Sequence, residues 1–265
     1  MTGRPTLAPV LLASALVAFA APVEAQLVVN TPFVHDLEVV PGRRIEGVVP
    51  LRNDGDAPRT ARLYLTDYAF DASGTSRYDA PGTLARSAAA WVSVGTSEVI
   101  VPPGETVEVR YAIDVPVEAD AVGTRWCALM VEDRPAEAEE VGSGVGIRRR
   151  VRYAIQLALQ FGGGAPDLDI ADLGLAEGAT AGRQLWLDLA NTGDATADTE
   201  VSLELFDADG HSRGRHGGSR ARLYPGTSFR HRVGLVDVPP GEYLALVIVE
   251  TGDEHAIGSQ FTLEL

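Results

Sequence analysis

Val107, Val109, Tyr111, Ile113 and Val115 are apolar at alternate positions, with Glu108, Arg110 and Asp114 between them. A two-residue period puts every second side chain on one face of an extended chain, so this run predicts a strand with one buried face. The period recurs at Ile45, Val49 and Leu51; at Ala61, Leu63 and Leu65; and from Val151 through Tyr153, Ile155, Leu157 and Leu159 to Phe161. It returns at Leu185, Leu187 and Leu189 and at Val201, Leu203 and Leu205. The turn-forming clusters PGR at Pro41, NDGD at Asn53, DASG at Asp71 and PPGE at Pro102 separate the early runs. No segment beyond residue 25 carries a long helical period, so the chain reads as all-β and of the sandwich type.

The pattern stops at Gly162-Gly163-Gly164-Ala165-Pro166 and then resumes. Three glycines and a proline cannot continue a strand, which makes 162–166 the expected linker between two domains, 26–161 and 167–265. An internal repeat supports the division. LRNDGDAP at Leu51 is matched by LANTGDAT at Leu189, DASG at Asp71 by DADG at Asp207, and VPPGETVEVRYAIDVP by LYPGTSFRHRVGLVDVP. The expected fold is two tandem immunoglobulin-like sandwiches. Asn53 and Asn191 are in phase with the inward apolar residues, so each amide should point inward and hydrogen-bond the turn after it, with Gly55 and Gly193 supplying a positive φ. The apolar run Tyr243 to Val249 suits a central strand buried on both faces.

Residues 1–25 combine one Arg, an apolar run from Leu7 to Ala21 and the small-residue end Val23-Glu24-Ala25. This is the order of a signal peptide cleaved after Ala25, and it predicts a periplasmic or cell-surface protein without an integral membrane segment in the mature chain. Cys127 is the one cysteine, so no intrachain disulfide can form, and its apolar setting predicts a buried, inert thiol. The formal charge is −15 and all 22 basic residues are Arg. Such a balance excludes the basic footprint that nucleic acid requires.

Catalytic patterns are missing. The sequence has no Gly-x-Ser-x-Gly elbow, no phosphate-cradling glycine loop and no Cys with a His partner. The histidines at 35, 211, 216, 231 and 255 are scattered, and the Asp207-Ala208-Asp209-Gly210 stretch lacks the downstream ligands of a calcium loop and reads as a β-turn. The expectation is a non-enzyme with no cofactor and no metal. Trp126 and Trp186 are expected in core or half-core positions, and Trp91 partly exposed.

PGRRIEGVVPLRNDGDAP, SAAAWVSV, VPPGETVEVRYAIDVPVEA and GTRWCALMVED, in that order, resemble the amino-terminal Ig-like domain of periplasmic pilus-assembly chaperones. The order is also similar to the envelope domains of WxL-associated surface proteins. The chaperone resemblance implies a last strand of the first domain that offers alternate apolar residues to a subunit lacking a strand, with a basic residue holding the subunit's terminal carboxylate. The matching stretch is VGSGVGIRRRVRYAIQ, where Val141, Val145 and Ile147 share a face and Arg150 or Arg152, the latter aligning better, stands at the basic position. The family's first strand also carries a basic residue, whereas LVVNTPFVHDLEVV offers only His35. The segment around 132–146 reads equally as an acidic, glycine-rich hairpin loop, with the arginines keeping a strand edge soluble. The implied function is capping of a pilin-like subunit or envelope protein by strand addition. The alternative is a structural or adhesive envelope module that binds a surface protein or cell-wall polymer through loops such as 75–95 and 132–146.

Overall fold

The computed structural model describes residues 27–119, 121–134, 150–177, 182–252 and 256–265. The expected signal peptide, and Val141, Val145 and Ile147 of the expected partner strand, lie outside these residues. Among the described residues no helix is long and apolar enough to cross a membrane.

The chain folds as two Ig-like sandwiches in tandem. The first is built from β1 (Leu27–Val29), β2 (Val34–Glu38), β3 (Arg44–Asn53), β4 (Arg59–Phe70), β5 (Ser76–Asp79), β6 (Val92–Val94), β7 (Glu98–Val101), β8 (Thr106–Asp114), β9 (Gly123–Arg134) and β10 (Arg152–Phe161). One sheet has the order β1-β3-β8-β6; the other runs β2-β10-β9-β4-β5, with β7 also paired to β4. Between β1 and β2 the chain changes sheets, so that β2 lies parallel to β10 while β10 and β9 are antiparallel. The alternate apolar residues meet between the sheets: Val49, Leu51, Val109 and Ile113 from one side pack against Cys127, Leu129, Ile155, Leu157 and Leu159 from the other. Burying each such side chain stabilises the fold by roughly 1.5–3 kcal/mol relative to exposure.

The second sandwich comprises β11 (Leu168–Glu177), β12 (Arg183–Asn191), β13 (Ala197–Phe206), β14 (Ser212–Leu223), β15 (Ser228–Leu235), β16 (Glu242–Thr251) and β17 (Ala256–Glu264). Its sheets are β11-β12-β15 and β14-β13-β16-β17. The segment between Phe161 and Leu168 forms no strand and packs closely: a Cβ on Gly164 would lie 2.4 Å from the Gly123 Cα, and Asp194 N–H donates to the Ala165 carbonyl at 2.9 Å.

The repeat in sequence is a repeat in hydrogen bonding. Asn53 Nδ2 donates to the Ala57 and Val101 carbonyls at 2.8 and 2.9 Å, and its Oδ1 accepts from Gly55 N–H at 3.0 Å. Asn191 Nδ2 donates to the Ala195 and Leu223 carbonyls at 2.8 and 3.0 Å, and its Oδ1 accepts from Gly193 N–H at 3.0 Å. The Asn53 and Asn191 carbonyls accept from Gly104 and Gly226, each at positive φ. Neither Gly55 nor Gly193 takes the expected positive φ; a Cβ on Gly193 would come within 2.3 Å of Asp167 N, so that glycine serves close backbone approach instead.

A further expectation is corrected. β16 is central in its sheet, but Tyr243, Ala245, Val247 and Val249 are buried while Leu244 is 46% exposed, so only one face is covered. The strand covered on both faces is β9. Trp186 lies on the face of β12 opposite the buried leucines, half-buried beneath the Arg230 guanidinium at 3.9 Å. Its ring edge occupies the space a Cβ on Gly174 would take.

Candidate protein-binding site

The site begins at β10, because this strand is paired along its whole length on one side and along half of it on the other. Every residue from Arg152 to Phe161 has a partner on β9, whereas β2 reaches only Gln156 to Gln160. The Gln156 N–H donates toward β2, to the Phe33 carbonyl at 2.7 Å. Backbone groups alternate sides along a strand, so the N–H and C=O of Arg152 and Ala154 face the same way, where no described strand stands opposite. An open edge is a template for a further strand.

Side-chain direction follows from the same register. Tyr153, Ile155, Leu157, Leu159 and Phe161 face the core of the first domain, and Arg152, Ala154, Gln156, Ala158 and Gln160 face the other way. Arg152 is exposed and stands opposite Glu132. Glu132 is nearly buried, and its Oε1 lies 3.4 Å from Arg150 Nη1 and 3.9 Å from Arg134 Nε, with the Tyr64 hydroxyl donating to Oε2 at 3.4 Å. Both expected basic residues therefore flank the open edge, and Arg150 is held toward a carboxylate of its own sheet. At the edge itself Phe33, 47% exposed, stacks on Tyr153 with ring centroids 6.0 Å apart.

His35 is not a cation at this surface. It points into the first domain, with Nδ1 2.9 Å from the Tyr111 hydroxyl and Nε2 3.1 Å from Thr31 Oγ1, and burial lowers its pKa. On the face of β2 that meets the second domain, Asp36 receives Arg222 Nη1 at 2.7 Å while Nη2 bonds Asp198 at 2.7 Å. The hydrogen bond to Asp198, partly opposed by burial and reinforced by Asp36, raises the guanidinium pKa further and keeps it charged.

Below this ion pair the domains share an aromatic contact. Trp126 stacks on Tyr224 at 4.8 Å, and its Nε1–H donates to the Tyr68 carbonyl at 2.7 Å. The Tyr224 hydroxyl donates to Gln156 Oε1 at 2.6 Å, and burial raises its pKa. Thr124 N–H donates to the Asp194 carbonyl at 2.8 Å, Thr196 N–H to Thr124 Oγ1 at 2.9 Å, and Arg86 pairs with Asp194. Trp126 is thus buried as expected, but between domains rather than within one. Trp91 is half-buried under Arg125 and edge-on to Phe161, and Cys127 is fully buried with its thiol pushed up to about 12 by desolvation.

Tyr224 and Gln156 were not singled out by periodicity. The signal available for Tyr224 was its place in the repeat, where LYPG stands for VPPG and an aromatic residue replaces Pro102. The acidic turn at Asp207 brings three potential ligand atoms of Asp207, Asp209 and His211 within 4.8 Å of one another. Asp207 is already used as a turn brace, accepting from the Asp209 and His211 N–H groups at 3.0 and 2.9 Å and from Arg213 Nε at 3.0 Å. Asp71 accepts from Ser73 N–H at 2.9 Å in the equivalent turn of the first domain.

No protein-family model matches the sequence, and no curated protein does. Solved structures do resemble the fold. A chain of a chaperone–tip adhesin complex of CFA/I fimbriae biogenesis superposes with a TM-score of 0.51 at 12% identity, over 89% of this chain and 98% of that one. A chain of the CsuC–CsuE chaperone–tip adhesion subunit pre-assembly complex of Acinetobacter baumannii gives 0.48 at 12% identity, covering 88% and 98%. The class 5 fimbriae chaperone CfaA gives 0.47 at 13%, covering 90% and 100%. These structures lend no support to the WxL-associated resemblance. At such identities the likeness is one of fold, and it spans both domains: the chain has the tandem Ig-like architecture found in the fimbrial chaperone–adhesin complex.

Proposed function

We propose that this protein is an exported, non-enzymatic chaperone-like protein of the periplasm, which caps a pilin-like partner by adding a strand to its incomplete β-fold. The reading includes cleavage after Ala25 and a division of the mature chain into domains 26–161 and 167–265. The observation that carries it is the half-paired β10, whose Arg152 and Ala154 backbone groups face away from β9 with no described strand opposite. Main-chain hydrogen bonds along such an edge supply affinity, and alternate side chains supply specificity. In the proposal Val141, Val145 and Ile147 extend the strand and fill the partner's groove, and Arg152, flanked by Arg150, pairs with a partner carboxylate. The complexed fimbrial protein of similar fold, which engages a tip adhesin, is in keeping with a protein partner.

The test is Ala154→Pro. Proline removes the one N–H at this position, which faces the open side, and leaves the β9 ladder intact, so an edge strand tolerates it. Affinity capture from an envelope extract, with the captured protein identified, should fall at least tenfold in this variant while thermal stability is retained. Arg152→Ala should weaken capture to a lesser degree. Capture unchanged by Ala154→Pro overturns strand addition and assigns binding to the loops, as an envelope module would require.

A further inference from the structure

A cleft of about 360 Å³ opens between the domains where β2 begins. Tyr68 and Phe70 from β4, Tyr224 and Phe229 from the second domain, Val34 from β2 and Gln156 from β10 contribute to its lining. Its position is set by the open edge. Gln156 is the residue at which β2 takes over as the neighbour of β10, so a foreign strand lying along Arg152 to Ile155 ends against Val34 and meets the mouth of this cleft.

Its lining is mostly apolar, and its three charged residues are each engaged within the protein. Asp71, exposed beside the cleft, accepts from Ser73 N–H at 2.9 Å. Arg222 also lines it, but that guanidinium is engaged by Asp36 and Asp198 together, and Arg220 at the rim bonds Glu200 at 2.6 Å. The Gln156 side-chain oxygen Oε1 accepts from the Tyr224 hydroxyl, while its Nε2 donates to no described residue and can serve a partner's backbone carbonyl. An apolar cleft with a few placed polar groups is the usual form of a binding pocket, and this volume falls at the small end of their range of about 300–1,000 Å³. It has room for a bulky side chain, not for an extended peptide.

We propose that the cleft receives a single aromatic or large aliphatic side chain carried by the partner segment that pairs with β10. The proposal rests on the strand-addition reading and adds to it a specificity pocket for one neutral anchor residue, separate from the carboxylate contact at Arg152.

The experiment uses the full exported chain and fluorescein-labelled, amidated ten-residue peptides of alternating Thr and Val that carry Phe, Gly or Asp at one end, in both orientations. Fluorescence anisotropy should show the Phe peptide of one orientation binding at least about tenfold more tightly than its Gly and Asp counterparts, as expected for burial of one large apolar side chain. Ser76→Trp, which fills the cleft from an exposed position on its wall, should abolish that preference and leave the Gly peptide's affinity within about twofold. Ala154→Pro should weaken all peptides together. Peptides that bind in an Ala154-dependent manner with no preference for Phe overturn the pocket and spare strand addition. Tightest binding of the Asp peptide makes the cleft a charge site and likewise overturns the proposal. Absence of Ala154-dependent binding by any peptide overturns both.

Discussion

Asn53 is fully buried at the end of β3 and satisfies three backbone groups: the carbonyls of Ala57 and Val101 and the N–H of Gly55. Leucine at this position matches the volume and leaves all three without that partner, at about 1–3 kcal/mol for each group that water cannot reach. Asn53→Leu should therefore lower stability by at least about 2 kcal/mol in chemical denaturation without selectively abolishing partner capture. Normal stability together with lost capture would mean that Asn53 belongs to the binding surface. Histidine titration adds a second residue-level expectation. Burial lowers the pKa of both His35 and fully buried His231 from 6.5, so the unfolded chain binds more protons than the native one between those lowered values and 6.5. Stability is then complete above about pH 6.5 and declines as pH falls through this window. Denaturation midpoints from pH 7.5 to 5 should decline, and His231→Asn should flatten part of the slope. A midpoint that rises on acidification would contradict the sign.

At the scale of elements, β10 shows what local pattern can and cannot convey. Its alternation from Val151 to Phe161 correctly separates the residues facing the core from those facing outward, because side-chain direction in a strand depends only on position along it. Which part of the edge is open depends instead on where β2 begins, and β2 lies more than a hundred residues away in the chain. The Ala154→Pro result therefore tests a tertiary feature through a backbone atom whose direction is set by the Gln156–Phe33 hydrogen bond. β16 illustrates the converse. Its continuous apolar run does not bury both faces, because no layer packs over Leu244, whereas β9 acquires a second covered face where the other domain meets Trp126.

In the whole molecule, the relative placement of the two sandwiches rests on close backbone approach as much as on the Trp126–Tyr224 stack. Gly123 adopts φ +72° and a Cβ there would fall 1.9 Å from the Asp194 carbonyl oxygen, so Gly123→Ala conflicts with both the conformation and the contact. Gly162, the first residue of the linker, has nothing within 4 Å of a Cβ and no positive φ. Gly123→Ala should part the domains, seen as two separated unfolding transitions and a larger radius in small-angle scattering, and Gly162→Ala should leave both measurements unchanged. Equal behaviour of the two variants would show that the linker acts as a free tether.

The strands, their inward faces, the duplicated Asn-capped turn and the tandem sandwich are legible in the amino-acid order, because each shows as a period of two or as a turn pattern that occurs twice in the chain. That order also marked Arg150 and Arg152 as the basic residues beside the last strand of the first domain. The half-open edge of β10, the Arg222–Asp36 pair and the aromatic cleft were decided only in three dimensions. They join residues separated by scores of positions and by a domain boundary, and no local periodicity carries information about which two outward faces will meet.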